Sequence, residues 1–313
     1  MVFIVAIIFV CFASLFLAIA NLLMRKSLDA GGTTKTYLLL QLSVCLGVSI
    51  FLGPVRTGAY AINAPVIGFG LLTGVVLIFL LFFLGKALEK GPPGLTFSIL
   101  SAGAVFPGLV MAAFLGEKYG YPYTFWHALG SLLVLIGLFW AGRTTSDTGS
   151  GCSRLWVFLV SAMFFLHILL LLLYQGRGAL LSHRELLSFV SAEQISSQWF
   201  VPMMYVGSVA VQFSICLKTE KRRPYPLEWV YGFFGGVCNS LCTFFLLRGT
   251  EMAVGFENAM IFPVYSIGTI LFSNLWGQRL YKESVNWRAC QVCAVGILLG
   301  SVDWKVVAAA IGF

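Results

Sequence analysis

Long apolar runs separated by short polar segments make up most of the chain. Ten windows contain no Asp, Glu, Lys or Arg, and nine of them are at least 19 residues long. The windows are 1–24, 36–55, 57–85, 91–116, 119–142, 155–176, 194–217, 229–247, 258–278 and 289–302. A helix that crosses a bilayer needs about 20 mostly apolar residues, and apolar sequence resumes after the short tenth window. The pattern therefore predicts ten transmembrane helices.

The composition excludes several classes of protein. The 313 residues are 59% hydrophobic and 10% charged, with a mean hydropathy of +0.92. A soluble protein carries about 25% charged residues, so this chain has too few polar groups to cover a surface that faces water. The net charge of +8 is spread over short clusters between apolar runs, which is typical of loops beside membrane spans. We therefore expect an all-α membrane protein that contacts the lipid bilayer and has no nucleic-acid partner.

A sequence repeat divides the chain near its midpoint. The segments that begin at Gly70 and Gly232 are 162 residues apart and share several identities. The identical pairs are Gly70/Gly232, Gly74/Gly236, Val75/Val237, Phe82/Phe244, Phe83/Phe245, Leu84/Leu246 and Glu89/Glu251. Because each half holds five predicted helices, an odd number, the second half must enter the membrane from the opposite side. The sequence predicts two inverted five-helix repeats, 1–146 and 147–313, an architecture that recurs in secondary transporters.

Two further segments carry motifs of a known family. In KALEKGPPGLTFSILSAGAVFPGLVMAAFLGEK the motifs are Ala87-Leu88, Ser101-Ala102, Pro107 and Gly116-Glu117. In the second half they are Glu283, Trp287, Gln291 and Gly300. This pattern resembles the drug/metabolite transporter superfamily, in its EamA-like branch of ten helices and two repeats. The resemblance implies alternating access to a central site, and it identifies no substrate.

Polar residues inside the apolar windows are the candidates for substrate contact. Burying them in hydrocarbon is unfavourable unless they are paired or face water. The candidates are Glu257, Asn258, His167, Asn239, Ser98, Ser101, Tyr231 and Tyr265. In the resembled fold the helix start at Glu257 and Asn258 points toward the central cavity. Each candidate keeps a structural alternative. It is interfacial charge at a helix end for Glu257, hydrogen bonding between helices for the deeper polar residues, and packing or a place at the membrane interface for the tyrosines.

Glycines and prolines within the windows predict packing and gating positions. Gly74 and Gly236 belong to GxxxG steps, which permit close approach of two helices. Pro107 and Pro263 are expected to bend the fourth and ninth helices, either as gating hinges or to shape the cavity. Arg248 with Glu251 three residues on, like the matched Lys86 and Glu89, predicts an ion pair at a helix end.

The sequence lacks the common motifs of ATPases, metalloproteases and serine hydrolases, which reduces the number of possible functions. The chain has no GxxxxGK[ST], HExxH or GxSxG sequence and only three histidines, so we expect no ATPase, no metal site, no cofactor and no enzyme. Seven of the eight cysteines lie in apolar runs, which favours packing over a disulfide framework. The absence of an Asn-x-Ser/Thr acceptor favours the bacterial inner membrane as the location.

The favoured function is secondary transport of a small polar metabolite across the cell membrane by this multi-pass protein. A coupling ion and a homodimer are both left open. The alternative is a non-transporting membrane scaffold or receptor with the same fold.

Overall fold

The computed structural model describes residues 3–90, 93–144, 154–182, 198–220, 222–253, 257–282 and 286–301. Within these ranges every regular element is helical. The α-helices are α1 (Phe3–Asp29), α2 (Thr34–Ile50), α3 (Ala64–Lys90), α4 (Pro93–Ala102), α5 (Phe106–Leu115), α6 (Phe125–Thr144), α7 (Arg154–Ser182), α8 (Phe200–Thr219), α9 (Pro226–Met252), α10 (Glu257–Tyr281) and α11 (Trp287–Ser301).

The lengths and surfaces of these helices are those of a multi-pass membrane protein. Seven of the described helices, α1, α2, α3, α7, α8, α9 and α10, are long and apolar enough to cross a bilayer. Three shorter apolar helical stretches are Ile99–Leu115, Phe125–Trp140 and Trp287–Gly300. Large apolar side chains point outward, and Phe114, Phe125, Phe165 and Leu217 are between 68% and 85% exposed. Such an apolar exterior is suited to lipid rather than to water.

The fourth predicted window contains two helices, because its backbone changes geometry in the middle. A turn of 3-10 helix, Gly103–Val105, separates α4 from α5. Pro107, the second residue of α5, has no N–H to donate to the carbonyl four residues earlier, which weakens the helical ladder at this point. At the second predicted bend the helix is not interrupted. Pro263 lies inside α10, which is one continuous helix from Glu257 to Tyr281.

A second irregular turn ends α2. Residues Phe51–Val55 form a π-helical turn that contains Pro54. Because Pro54 cannot donate to the carbonyl of Ile50, the ladder widens, and the Arg56 N–H reaches the carbonyl oxygen of Phe51, five residues back. Turns of this kind are frequent at functional sites.

The helices of the first half pack against those of the second half in corresponding pairs. Helix α1 packs on α9 and α10, while α7 packs on α3 and on α4 and α5. Helix α2 packs on α9, and α8 packs on α3. In three further pairings, each helix packs on the helix at the same position of the other predicted repeat. These pairings are α2 with α8, α5 with α10, and α6 with α11. Exchanging the two halves therefore leaves this set of major pairings unchanged.

Glycines lie where these helices approach most closely. A methyl group added to Gly74 of α3 would overlap the backbone carbonyl of Met204 in α8. Gly236 of α9 is the counterpart of Gly74 in the sequence repeat. A methyl group added to Gly236 would lie 2.6 Å from Cβ of Val44 in α2. The matched glycines thus occupy matched interfaces, α3–α8 and α9–α2.

A buried carboxylate joins two loops at one end of the bundle. Glu228 in the first turn of α9 is 1% exposed and accepts hydrogen bonds from the backbone N–H groups of Tyr225 and Thr33, both at 2.8 Å. Arg222 donates to the same carboxylate through two nitrogens, at 2.7 and 2.8 Å. The α1–α2 connection and the α8–α9 connection are therefore held together by one side chain.

Candidate functional site

The structure brings the polar residues of α9 against α2 and α8. Asn239 donates to the Cys45 sulfur at 3.5 Å, and Ser240 donates to the Cys45 carbonyl oxygen at 3.2 Å. The hydroxyl groups of Thr243 and Tyr205 are 2.8 Å apart. The polar residues of this α9 segment therefore face the interior of the bundle and not the lipid.

Buried tyrosines from three other helices extend this polar region. They are Tyr174 of α7, Tyr205 of α8 and Tyr265 of α10. The Tyr265 hydroxyl is 3.4 Å from the Cys242 sulfur, and the Tyr174 hydroxyl donates to the Met204 sulfur at 3.2 Å. Sequence reasoning found Tyr265 but missed Tyr174, which lies in an almost wholly apolar run. We call Cys45, Tyr174, Tyr205, Asn239, Ser240, Cys242, Thr243 and Tyr265 the central polar cluster.

His167 lies at a different interface, between α7 and the break that follows α4. Its Nδ1 is 2.6 Å from the carbonyl oxygen of Leu100. A methyl group on Gly103, in the 3-10 turn, would lie 3.2 Å from the same ring nitrogen. The imidazole therefore packs directly on the irregular backbone. Ser101, which is half-buried, belongs to the same helix α4.

Glu257 and Asn258 begin α10, and both are buried. A carboxylate at this position is stabilised by the positive end of the helix dipole. Asn258 donates to the Gly120 carbonyl at 2.8 Å, and its own carbonyl accepts from the side chain of Gln175 at 2.7 Å. Asn258 thus ties α10 to α7 and to the α5–α6 connection.

The structure also places, or leaves undescribed, the other residues named in the sequence analysis. Tyr231 is half-buried in α9. The side chains of Ser98 and Glu89, and the whole of Glu283, lie outside the described residues. The cysteines of the described chain are free thiols, and Cys293 of α11 packs on α6 with its sulfur 3.7 Å from the Val134 carbonyl. Among the described residues no group of three His, Cys, Asp or Glu side chains is placed to hold a metal ion.

An ion cluster of Arg177, Arg248 and Glu251 joins α7 to α9. The sequence predicts the pair of Arg248 and Glu251 but not Arg177. Arg177, which is 6% exposed, donates to one oxygen of Glu251. Arg248 donates to the other oxygen at 2.9 Å, as its spacing to Glu251 predicts. Arg177 was missed because it lies just beyond the charge-free window 155–176, and candidates were sought mainly inside the windows. The structure places it in the last two turns of α7.

This cluster lines a cavity of about 180 Å³ between α2, α7, α8 and α9. Its wall also includes Ser49, Gly53 and Ser240, together with Gln198 and Phe244. Gly53 belongs to the π-helical turn, where an added methyl group would lie 2.8 Å from the Gln198 carbonyl. The irregular end of α2 therefore forms one wall of the cavity. We call this space the arginine cavity.

Comparison with known proteins extends only to the fold. No protein-family model matches the sequence, and no curated protein matches it. A solved structure described only as the crystal structure of a protein superposes with a TM-score of 0.69 over 97% of this chain and 98% of that one. The two sequences are 17% identical. The chain shares this fold with a solved protein. Because the identity is so low, the likeness says nothing about substrate or activity.

Proposed function

We propose that this protein is a secondary transporter of a small polar solute, working by alternating access of two inverted five-helix halves. The observation that carries the proposal is the exchange symmetry of the helix pairings, in which α1 with α9 corresponds to α7 with α3. An inverted repeat has two related arrangements in which the halves exchange conformations, and these open the site to opposite sides of the membrane.

The proposal includes ten membrane spans. Seven are the long apolar helices, and the other three are the α4–α5 pair, α6 and α11. Each of the three shorter stretches packs within the bundle: α6 against α11, and α5 against α10. A broken span such as α4–α5 is tolerated within a membrane where neighbouring helices supply hydrogen-bond partners, and the contact of His167 with the Leu100 carbonyl supports this assignment.

The central polar cluster is the proposed substrate site. It lies among helices of both halves, with Cys45 from α2, Tyr174 from α7, Tyr205 from α8 and Tyr265 from α10. Tyrosine, serine, threonine and asparagine side chains both donate and accept hydrogen bonds, so they can replace water around a polar solute. Membership of the drug/metabolite transporter superfamily is part of the same proposal and rests on the sequence motifs. A location in a bacterial inner membrane is also part of it and rests on the absence of an Asn-x-Ser/Thr acceptor.

Solute uptake into proteoliposomes tests this function. Purified protein is reconstituted and offered radiolabelled amino acids, sugars, nucleosides, organic acids and organic cations, with protein-free liposomes as the control. The proposal predicts saturable uptake of one class of solute, reduced by Thr243→Val in the central polar cluster. Protein that is folded and correctly inserted but carries no solute in any class would favour the scaffold or receptor.

A further inference from the structure

We infer that the arginine cavity binds the oxyanion of a small solute, either a carboxylate or a phosphoryl group. The arginine cavity adjoins the central polar cluster, since Ser240 belongs to both. The inference therefore deepens the proposed function, because it names the chemical class of the solute. The role of the cavity in transport rests on the proposed function. Anion binding by the cavity does not, because it can be measured without transport.

The first argument is the balance of charge in the cavity wall. Among the described residues that line it, Arg177 and Arg248 are cationic and Glu251 is the single acid. One carboxylate shared by two guanidinium groups leaves an excess positive charge. Arg177 is buried and the side chain of Arg248 is 38% exposed, so an anion that enters the cavity from solvent can reach both arginines and compensate this excess.

Hydrogen-bonding capacity gives the second argument. A guanidinium group carries five N–H donors and no acceptor. The Nε–H of Arg177 is buried and has no hydrogen-bond partner among the described residues. A site with surplus donors matches a ligand that offers only acceptors, and carboxylate and phosphoryl oxygens fit the planar fork of arginine.

The arginines are also held in place by aromatic rings. The Arg177 guanidinium carbon lies 5.0 Å from the centre of the Phe200 ring. Arg248 and Arg56 each lie 5.7 Å from the centre of the Phe244 ring. Contacts of this geometry are attractive, and they reduce the freedom that the side chains would lose on binding. Glu251 holds the two guanidinium groups together, and an incoming oxyanion accepts hydrogen bonds from the arginine donors that Glu251 does not use.

A binding measurement in detergent tests the inference. The probes are sodium phosphate, sodium succinate and the uncharged succinamide at constant ionic strength, with dioctanoyl phosphatidylglycerol in a separate arm. Binding is followed by calorimetry and by the midpoint of thermal unfolding. We expect phosphate or succinate to bind and raise the midpoint, and succinamide to leave it unchanged. A response to the soluble anions assigns the site to a solute, and a response to the lipid alone assigns the same oxyanion chemistry to a headgroup.

Three variants and a control make the result specific. Arg248→Gln should weaken anion binding about tenfold or more, because it removes a charged donor. Arg177→Gln should do the same if it folds. Glu251→Gln should tighten binding, because it removes the competing carboxylate. Arg154→Gln, at the exposed opposite end of α7, is the matched control and should bind as wild type.

The outcomes separate this inference from the transport proposal. Anion binding that follows the predicted order of variants, without any flux, would support the site and contradict transport. Flux of a neutral or cationic solute by folded protein that binds no anion would support transport and overturn the oxyanion site. The site is also overturned if Glu251→Gln and Arg248→Gln bind anions as Arg154→Gln does.

Discussion

Gly130 of α6 and Gly296 of α11 contact each other reciprocally. A methyl group added to Gly296 would lie 2.7 Å from the Gly130 carbonyl oxygen, and one added to Gly130 would overlap the Gly296 carbonyl oxygen. Each glycine thus makes the contact that its partner makes, as residues related by a twofold axis do.

The reciprocal contact predicts that alanine is harmful at both positions. Gly130→Ala and Gly296→Ala should each lower stability by about 1–3 kcal/mol, because backbone atoms of the facing helix cannot move aside as a flexible side chain can. The thermal unfolding midpoint in detergent is the measurement. Gly68→Ala in α3 is the control, since nothing lies within 4 Å of the added methyl group. There alanine should be neutral or stabilising. Equal midpoints for all three variants would disprove the close α6–α11 approach.

The buried carboxylate at the start of α9 predicts a second stability effect. Glu228→Gln replaces an acceptor of four described hydrogen bonds by an amide that offers one oxygen. We expect a loss of about 1–3 kcal/mol. Arg222→Gln should have a smaller effect, because the side chain of Arg222 is 28% exposed. A double-mutant cycle between the two, with Glu220→Gln as a control in the same connection, would show no coupling if the pair were a mere surface contact.

The hydrogen bond between Tyr205 and Thr243 predicts a separation of function from stability. Thr243→Val and Tyr205→Phe each remove one hydroxyl with little change of shape. Interhelical hydrogen bonds in membranes contribute about 0.6 kcal/mol on average, so the unfolding midpoint should barely change. Solute flux should fall strongly if these hydroxyls contact the substrate. Tyr60→Phe, in the exposed α2–α3 connection, is the control. Wild-type flux in Thr243→Val would move the substrate site away from the central polar cluster.

The contact of His167 with the broken fourth span predicts a different pattern. His167→Ala removes the partner of the Leu100 carbonyl and opens space beside Gly103. We expect both flux and the unfolding midpoint to decrease, the latter by about 1–3 kcal/mol in free energy. His167→Asn retains a hydrogen-bonding side chain and should recover part of the stability. If His167→Ala abolished flux at unchanged stability, the imidazole would contact substrate instead of supporting the α4 break.

The sequence predicts the helical elements well, because hydrophobic windows report directly on helices that face lipid. The window 229–247 lies within α9, and the window 155–176 lies within α7. The GxxxG spacing also predicted close approach of helices at Gly74 and Gly236, which a pattern of small residues can indicate without knowledge of the partner helix.

The site was less accessible to sequence reasoning, because it depends on which helices are neighbours. Arg177 and Glu251 are 74 residues apart, and nothing in either segment indicates that α7 packs on α9. Tyr174 was overlooked for the same reason, since one tyrosine in a leucine-rich run does not reveal which side chains it meets. The contact of the 3-10 turn at Gly103–Val105 with His167 likewise joins residues that are far apart in the sequence.

Exchange across a reconstituted membrane tests alternating access most directly. Liposomes that contain the protein are preloaded with the solute identified by the uptake screen, and entry of external labelled solute is compared with that in empty vesicles. A carrier that reorients faster when loaded should take up external label faster into preloaded vesicles than into empty ones, so we predict trans-stimulated uptake that is lost in Thr243→Val. Uptake that is linear with concentration and insensitive to internal solute would indicate a pore, which would contradict transport by alternating access.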